Sequence, residues 1–155
     1  MSETSLCDKE NDIMIMKKKV LVCFDFENDK RYKYLMNAWD ANDNFDLSFT
    51  DVTPSEIQSN SISVIKANLT KKINLADITL VLVGEDATKL HKDRKEIGYD
   101  NWQIFEIEKS KANGNQLIVV KLDKSYSAPD SCYGCGATWV NSFNEEDIVN
   151  AIENA

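Results

Sequence analysis

The sequence is poor in basic residues, glycine and histidine, and it has no long apolar run. Against 18 Lys and Arg stand 26 Asp and Glu, a formal net charge of −8. Nucleic acid is therefore excluded as a leading partner, because phosphate binding needs a clustered basic face. No apolar stretch approaches the roughly 20 residues that span a bilayer. The longest, such as Ile78 to Val83, are strand-sized, so no membrane association is expected. Glycine occurs five times, and no glycine-rich turn follows the first apolar run. That argues against a Rossmann fingerprint and a P-loop, since both cradle phosphates with glycine-rich backbone. The single histidine, His91, has no partner for a catalytic dyad or a zinc cluster, and a surface position is expected for it. Four cysteines in 155 residues do not make a disulfide scaffold. The first residues, MSETSLCDKENDIMIM, are polar and acidic where a signal peptide is basic and then apolar. A cytoplasmic location is expected.

The length of 155 residues suits one domain with a real core. Residues 1–16 lack sustained periodicity and read as a flexible tail, with a single domain over 17–155. The charge divides the same way. Residues 1–16 carry a net −3 and residues 141–155 a net −4, leaving −1 between them. The acid surplus thus lies mostly outside the central segment, which does not oppose an anionic ligand.

Val20 to Phe24 is a continuous apolar run, as a strand buried on both faces requires, and Ile78 to Gly84 and Leu117 to Leu122 read as further buried strands. Phe45, Leu47 and Phe49 alternate like a half-buried strand, VTPSE is a turn, and ATWVN is a short final strand. Between them, Tyr32, Leu35, Met36 and Trp39 recur at helical spacing, with Asn28 or Asp29 as N-cap candidates. Ile62, Ile65, Leu69 and Ile73 mark a second helix, capped near Ser59 or Ser61, and Trp102 to Lys111 a third. FNEEDIVNAIENA closes the chain as a helix with acids in its first turn. The charged stretch Glu85 to Asn101 reads as a loop with room for one short helix. Strands alternating with helices predict an α/β, flavodoxin-like three-layer fold with a five-stranded parallel sheet in the order 2-1-3-4-5. Ligands of such sheets bind beyond the carboxyl ends of the strands.

That rule singles out the residues after Phe24, Phe49, Val83 and Leu122. Asp25 ends a buried strand directly, whereas Glu27 and Asp29 also suit helix capping. Cys132 and Cys135 form a CxxC, but it lies late in a loop rather than between a first strand and its helix, and Cys7 and Cys23 are poorly placed to complete a zinc site. Incidental loop cysteines are expected. Trp102 and Glu106 stand at i and i+4, hence on one helix face. On spacing alone, Trp102 is expected in the core and Glu106 on a solvated face.

Taken together, KKVLVCFDFENDKRYKYLMNAWD, FDLSFTD, INLADITLVLVGED, NWQIFEIEKS, LIVVKLDKSY and GATWV resemble, in order and spacing, the TIR-like family of bacterial Thoeris anti-phage systems. The resemblance spans about residues 18–155. It implies a TIR-like fold and chemistry on NAD, with Glu106 as the catalytic residue paired with the helical Trp102. It implies an NAD glycohydrolase or ADP-ribosyl cyclase whose cyclic ADP-ribose-type signal activates a separate effector protein, with NAD as substrate and neither cofactor nor metal. A phage trigger protein and a homo-oligomer are the further partners it implies. Phe24, Asp25, Asp51, Gly84 and Glu85 are candidates to line the pocket with Trp102. The long charged loop before Trp102 departs from the family, lacking its usual serine and small-residue run. Two other readings stand beside this one. One is a non-catalytic TIR-like interaction or sensor module, and the other a nucleoside deoxyribosyltransferase-like enzyme. A receiver domain fits less well, because strand four lacks the expected hydroxyl residue at its end.

Overall fold

A strand with apolar residues at every position has no face to give to water, so it needs helices on both sides. The computed structural model, which describes residues 18–40, 47–50 and 61–155, meets that requirement. Its strands are β1 (Lys18–Cys23), β2 (Leu47–Thr50), β3 (Ile78–Val83), β4 (Gln116–Lys121) and β5 (Thr138–Val140). Its helices are α1 (Phe26–Asp40), α2 (Ile62–Leu75), the single turn α3 (Arg94–Ile97), α4 (Trp102–Ala112) and α5 (Glu145–Glu153). Every strand pair is parallel, and the order across the sheet is β2-β1-β3-β4-β5. β3, in the middle, is buried at all six positions.

The pleat sends alternate side chains to opposite layers. Val20, Val22, Leu80 and Leu82 face one way, against Met36 of α1 and Ile148 and Ile152 of α5. Cys23, Val81, Val83 and Val119 face the other way, against Ile107 of α4. On that second side, Ile65 and Leu69 of α2 pack with Trp102 and Phe105 of α4, and Ile73 meets Leu21. A small polar network pins this layer. Thr79 Oγ1 donates to Ser110 Oγ at 2.7 Å, and Asn115 Nδ2 donates to Ile73 O at 3.1 Å and to Thr79 Oγ1 at 3.2 Å. Each group is buried and therefore needs its partner.

Both ends of α5 are satisfied by polar side chains. Asn144 Oδ1 accepts from Asp147 N, and Glu145, Glu146 and Asp147 occupy the first turn of α5. At the other end of α5, Lys18 Nζ donates to the carbonyls of Ile152 and Glu153 at 2.9 and 2.8 Å. The first helix differs from expectation. It begins at Phe26, and Asp25 Oδ1 accepts from Glu27 N at 3.1 Å, so Asp25 caps it while Asn28 and Asp29 lie inside its first turn. The cap is chosen by where the buried strand must stop. Ser61 occupies the N-cap position of α2. The tail over residues 1–16, Asp51 and the VTPSE turn lie outside the described residues. Among the described residues, no helix is long and apolar enough to cross a membrane.

Candidate functional site

The site starts from an offset in strand length. β1 stops at Cys23, opposite Val81, whereas β3 continues to Val83. The Leu82 carbonyl is thereby left without a strand on the β1 side. The side chain of Gln103, in the first turn of α4, fills the notch: its Nε2 donates to Leu82 O at 2.8 Å and, more weakly, to Cys23 O at 3.4 Å. Past the notch, β1 leads to α1 on one layer and β3 to the loop before α4 on the other. The two diverging connections open a cleft of about 580 Å³ at the carboxyl edge of the sheet. This is the switch point where ligands of doubly wound sheets bind, and the volume lies within the roughly 300–1,000 Å³ usual for small-molecule sites.

Phe24, Trp102 and Gln103 line the cleft, and Asp25, Glu27 and Asp86 contribute carboxylates. Lys89, His91 and Lys92 bring nitrogen groups from the long loop. Asn28 Nδ2 donates to Asp25 Oδ2 at 2.7 Å and to Asp86 Oδ2 at 3.1 Å, tying the acids after β1 to those after β3. The loop is fastened by Asn101. Its Oδ1 accepts from Ile104 N, capping α4, while its Nδ2 donates to Ala87 O and Lys89 O at 3.0 and 2.9 Å. His91 N donates to Asp100 O at 2.7 Å, and the His91 ring sits edge-on to Trp102 with centroids 6.4 Å apart.

Glu106 lies one turn along α4 from Trp102 and is only 3 % exposed. It is not on the solvated face that spacing alone suggests, because α4 lies flat on the sheet and turns Gln103, Glu106 and Ser110 inward. It does not line the cleft itself. The Cys23 thiol, which donates to Gln103 O at 3.5 Å, is buried near Glu106, and burial, then the Glu106 charge, push that thiol well above the usual range.

The expected site residues therefore divide. Phe24, Asp25 and Trp102 line one cleft, with Glu106 buried on the same helix as Trp102. Gly84 and Glu85 do not line it; Asp86 does. Gly84 serves packing: a Cβ there would overlap the carboxylate of Asp29. Asp29 is 7 % exposed, and burial, reinforced by the negative charge of Asp25, pushes its carboxyl up to about 6. His91, expected at the surface, is half-buried on the cleft wall, because the loop folds back over α4. Gln103, Asn101, Lys89 and Lys92 were not singled out from sequence. Only Asn101 carried a signal, as an Asn immediately before a helical run. In the CxxC, Cys132 is buried and Cys135 half-buried, and both thiols are free. Burial, then Cys135, push Cys132 up to about 12, the opposite of a reactive thiolate. Among the described residues, no group of three or more His, Cys, Asp or Glu is placed to hold a metal ion.

Several solved structures share this architecture. A 2-deoxyribosyltransferase from the psychrotolerant bacterium Bacillus psychrosaccharolyticus superposes with a TM-score of 0.56 at 14% identity, over 85% of this chain and 90% of that one. A prokaryotic SEFIR domain gives 0.55 at 14% identity, over 88% of each chain. A 2-desoxiribosyltransferase from Leishmania mexicana gives 0.54 at 12% identity, over 89% of this chain and 99% of that one. At these identities the likeness is one of fold alone. No curated protein sequence matches the chain. The sequence model of one family, "Thoeris protein ThsB, TIR-like domain", matches residues 21–127. That match covers more than half of the chain and runs from β1 through the cleft loop and α4 to the residues after β4. The chain belongs to the TIR-like domain family of the Thoeris protein ThsB.

Proposed function

We propose that the protein is an NAD-consuming enzyme of Thoeris anti-phage defence. It cleaves the bond between nicotinamide and ribose and cyclises the product to a cyclic ADP-ribose-type signal for a separate effector protein, in the cytoplasm and in response to a phage trigger. The observation that carries this reading is the pair on α4 of a ThsB-family chain, with Trp102 on the cleft and the carboxylate of Glu106 buried one turn behind it.

The chemistry suits these residues. Nicotinamide attached to ribose is already cationic and leaves with little help from an acid. As the N-glycosidic bond breaks, the ribose acquires oxocarbenium character, as in glycoside cleavage. A carboxylate held in a dry site stabilises that positive charge far more than one in water. Glu106, 3 % exposed and one turn along α4 from the Trp102 that lines the cleft, is such a carboxylate. The aromatic surfaces of Trp102 and Phe24 pack against the sugar or base, and Asp25 takes ribose hydroxyls. Attack by water yields ADP-ribose, and attack by a group of the same nucleotide yields a cyclic product. The second outcome is favoured where water is excluded and the nucleotide is folded back on itself.

Purified protein is incubated with NAD, with and without lysate of phage-infected cells, and the products are resolved by mass spectrometry. Nicotinamide and a cyclic ADP-ribose isomer are expected from the wild type and neither from Glu106→Gln. Absence of nicotinamide release under every trigger, or full activity in Glu106→Gln, overturns the reading. So does turnover of deoxynucleosides with NAD left intact.

A further inference from the structure

We propose that the loop lip carrying Lys89 and Lys92 is the diphosphate subsite of the cleft. In this arrangement, a dinucleotide lies with its diphosphate on the lip and its cationic nicotinamide end toward Asp25, Glu27 and Asp86. The inference rests on the NAD reading above and adds the direction in which the substrate lies.

Three observations carry it. First, the cleft is lined by both kinds of charge, with carboxylates from the β1 and β3 exits and amines from the following loop. A substrate with a cationic ring and a doubly negative diphosphate finds a counter-charge for each, whereas a neutral nucleoside needs neither. Second, neither lysine ammonium is committed elsewhere among the described residues. Lys18, Lys111 and Lys121, by contrast, bond main-chain carbonyls. Lys89 and Lys92 thus keep all their donors for a ligand, and an ammonium binds phosphate as a point charge. Third, the lip is built. Asn101 holds the carbonyls of Ala87 and Lys89 and caps α4 with the same side chain, His91 N is bonded to Asp100 O, and Lys89 N to Asp86 O at 3.0 Å. Ala87, 1 % exposed, anchors the strand side of the segment. The backbone bearing the two lysines is therefore fixed relative to Trp102 before any ligand arrives, which lowers the ordering cost of binding.

The test measures affinity for ADP-ribose, which carries the diphosphate but no nicotinamide, by calorimetry at two salt concentrations. The proteins are the wild type, Lys89→Glu/Lys92→Glu, and Lys71→Glu/Lys124→Glu as a control with the same change in net charge. The lip variant is expected to bind about tenfold or more weakly and to lose most of the salt dependence, while the control stays near wild type. Equal affinity in the lip variant, or an equal loss in the control, overturns the proposal. The lip variant's KM for NAD separates the two readings. Nicotinamide release with an unchanged KM removes the subsite and leaves the NAD chemistry standing. Lysine-dependent ADP-ribose binding without nicotinamide release under any trigger removes the chemistry and leaves the subsite. A wild type that binds no ADP-ribose and cleaves no NAD removes both.

Discussion

Asp29 provides a quantitative test of the cleft's electrostatics. Its carboxyl, 7 % exposed and lying over the Gly84 backbone, is pushed up from 3.8 to about 6, chiefly by burial and then by Asp25, with Arg31 opposing and Asp86 adding to the rise. An acid whose folded pKa is raised is held protonated more tightly by the native state than by the unfolded chain. Its contribution to stability is complete below the unfolded value and is lost as pH rises through the folded one. At about 1.36 kcal/mol per pKa unit, a shift of this size sets a ceiling of about 3 kcal/mol, and residual solvent contact lowers the expectation to about 1–2 kcal/mol. Asn has the shape of the protonated carboxyl and does not titrate. Asp29→Asn is therefore expected to be about 1–2 kcal/mol more stable than the wild type at pH 8 and equal to it near pH 4. Urea unfolding of both proteins at half-unit steps from pH 4 to pH 8 measures this, and the other titrating groups cancel in the difference. A difference that stays constant with pH refutes the reasoning. A wild type more stable than the variant at pH 8 also refutes it, since that requires a partner for the ionised carboxylate.

Other consequences are direct. Gln103→Leu removes the donor from the Leu82 carbonyl and is expected to cost about 1–3 kcal/mol, read by urea denaturation. Asn101→Ala removes the α4 cap and the lip clasp together; a loss of about 1–2 kcal/mol is expected, with faster amide exchange over residues 87–91 by mass spectrometry. Among the described cysteines, Cys135 is expected to be alkylated in the native protein at pH 8, and Cys23 and Cys132 only after unfolding, as peptide mapping will show. Gly84→Ala forces the Asp29 carboxylate aside, and its cost is expected to shrink in an Asp29→Ala background, as a double-mutant cycle measures.

The parallel α/β architecture was legible because burial on both faces leaves a local mark. Leu80 to Val83 and Leu117 to Val120 are apolar without interruption, Thr79 being the one polar residue of β3, and the helical runs repeat at about 3.6 residues. Helix starts were less legible. Several polar residues after Cys23 are competent caps, and the choice of Asp25 depends on where β1 leaves the sheet. Glu106 was visible only as half of a spaced pair. Its depth depends on how α4 is rotated on the sheet, and Asn101, Gln103 and the packing of Phe105 against α2 set that rotation. The lip was not legible at all, because a charged loop has no periodicity to read and its path is held by bonds between residues 9 to 14 apart.

By itself, then, the sequence determined the alternation of strands and helices, the parallel character of the sheet, the edge at which the cleft opens, and the kinship carried by its ordered segments. Those properties are encoded in short windows of apolar periodicity and in linear order. Only the tertiary structure decided that β1 stops short of β3, that Gln103 closes the resulting notch, that Glu106 is buried against Cys23, and that Lys89 and Lys92 line the same cleft as Asp25 and Asp86. Each of these is a relation between side chains distant in the chain, fixed when two layers of helices settle on one sheet.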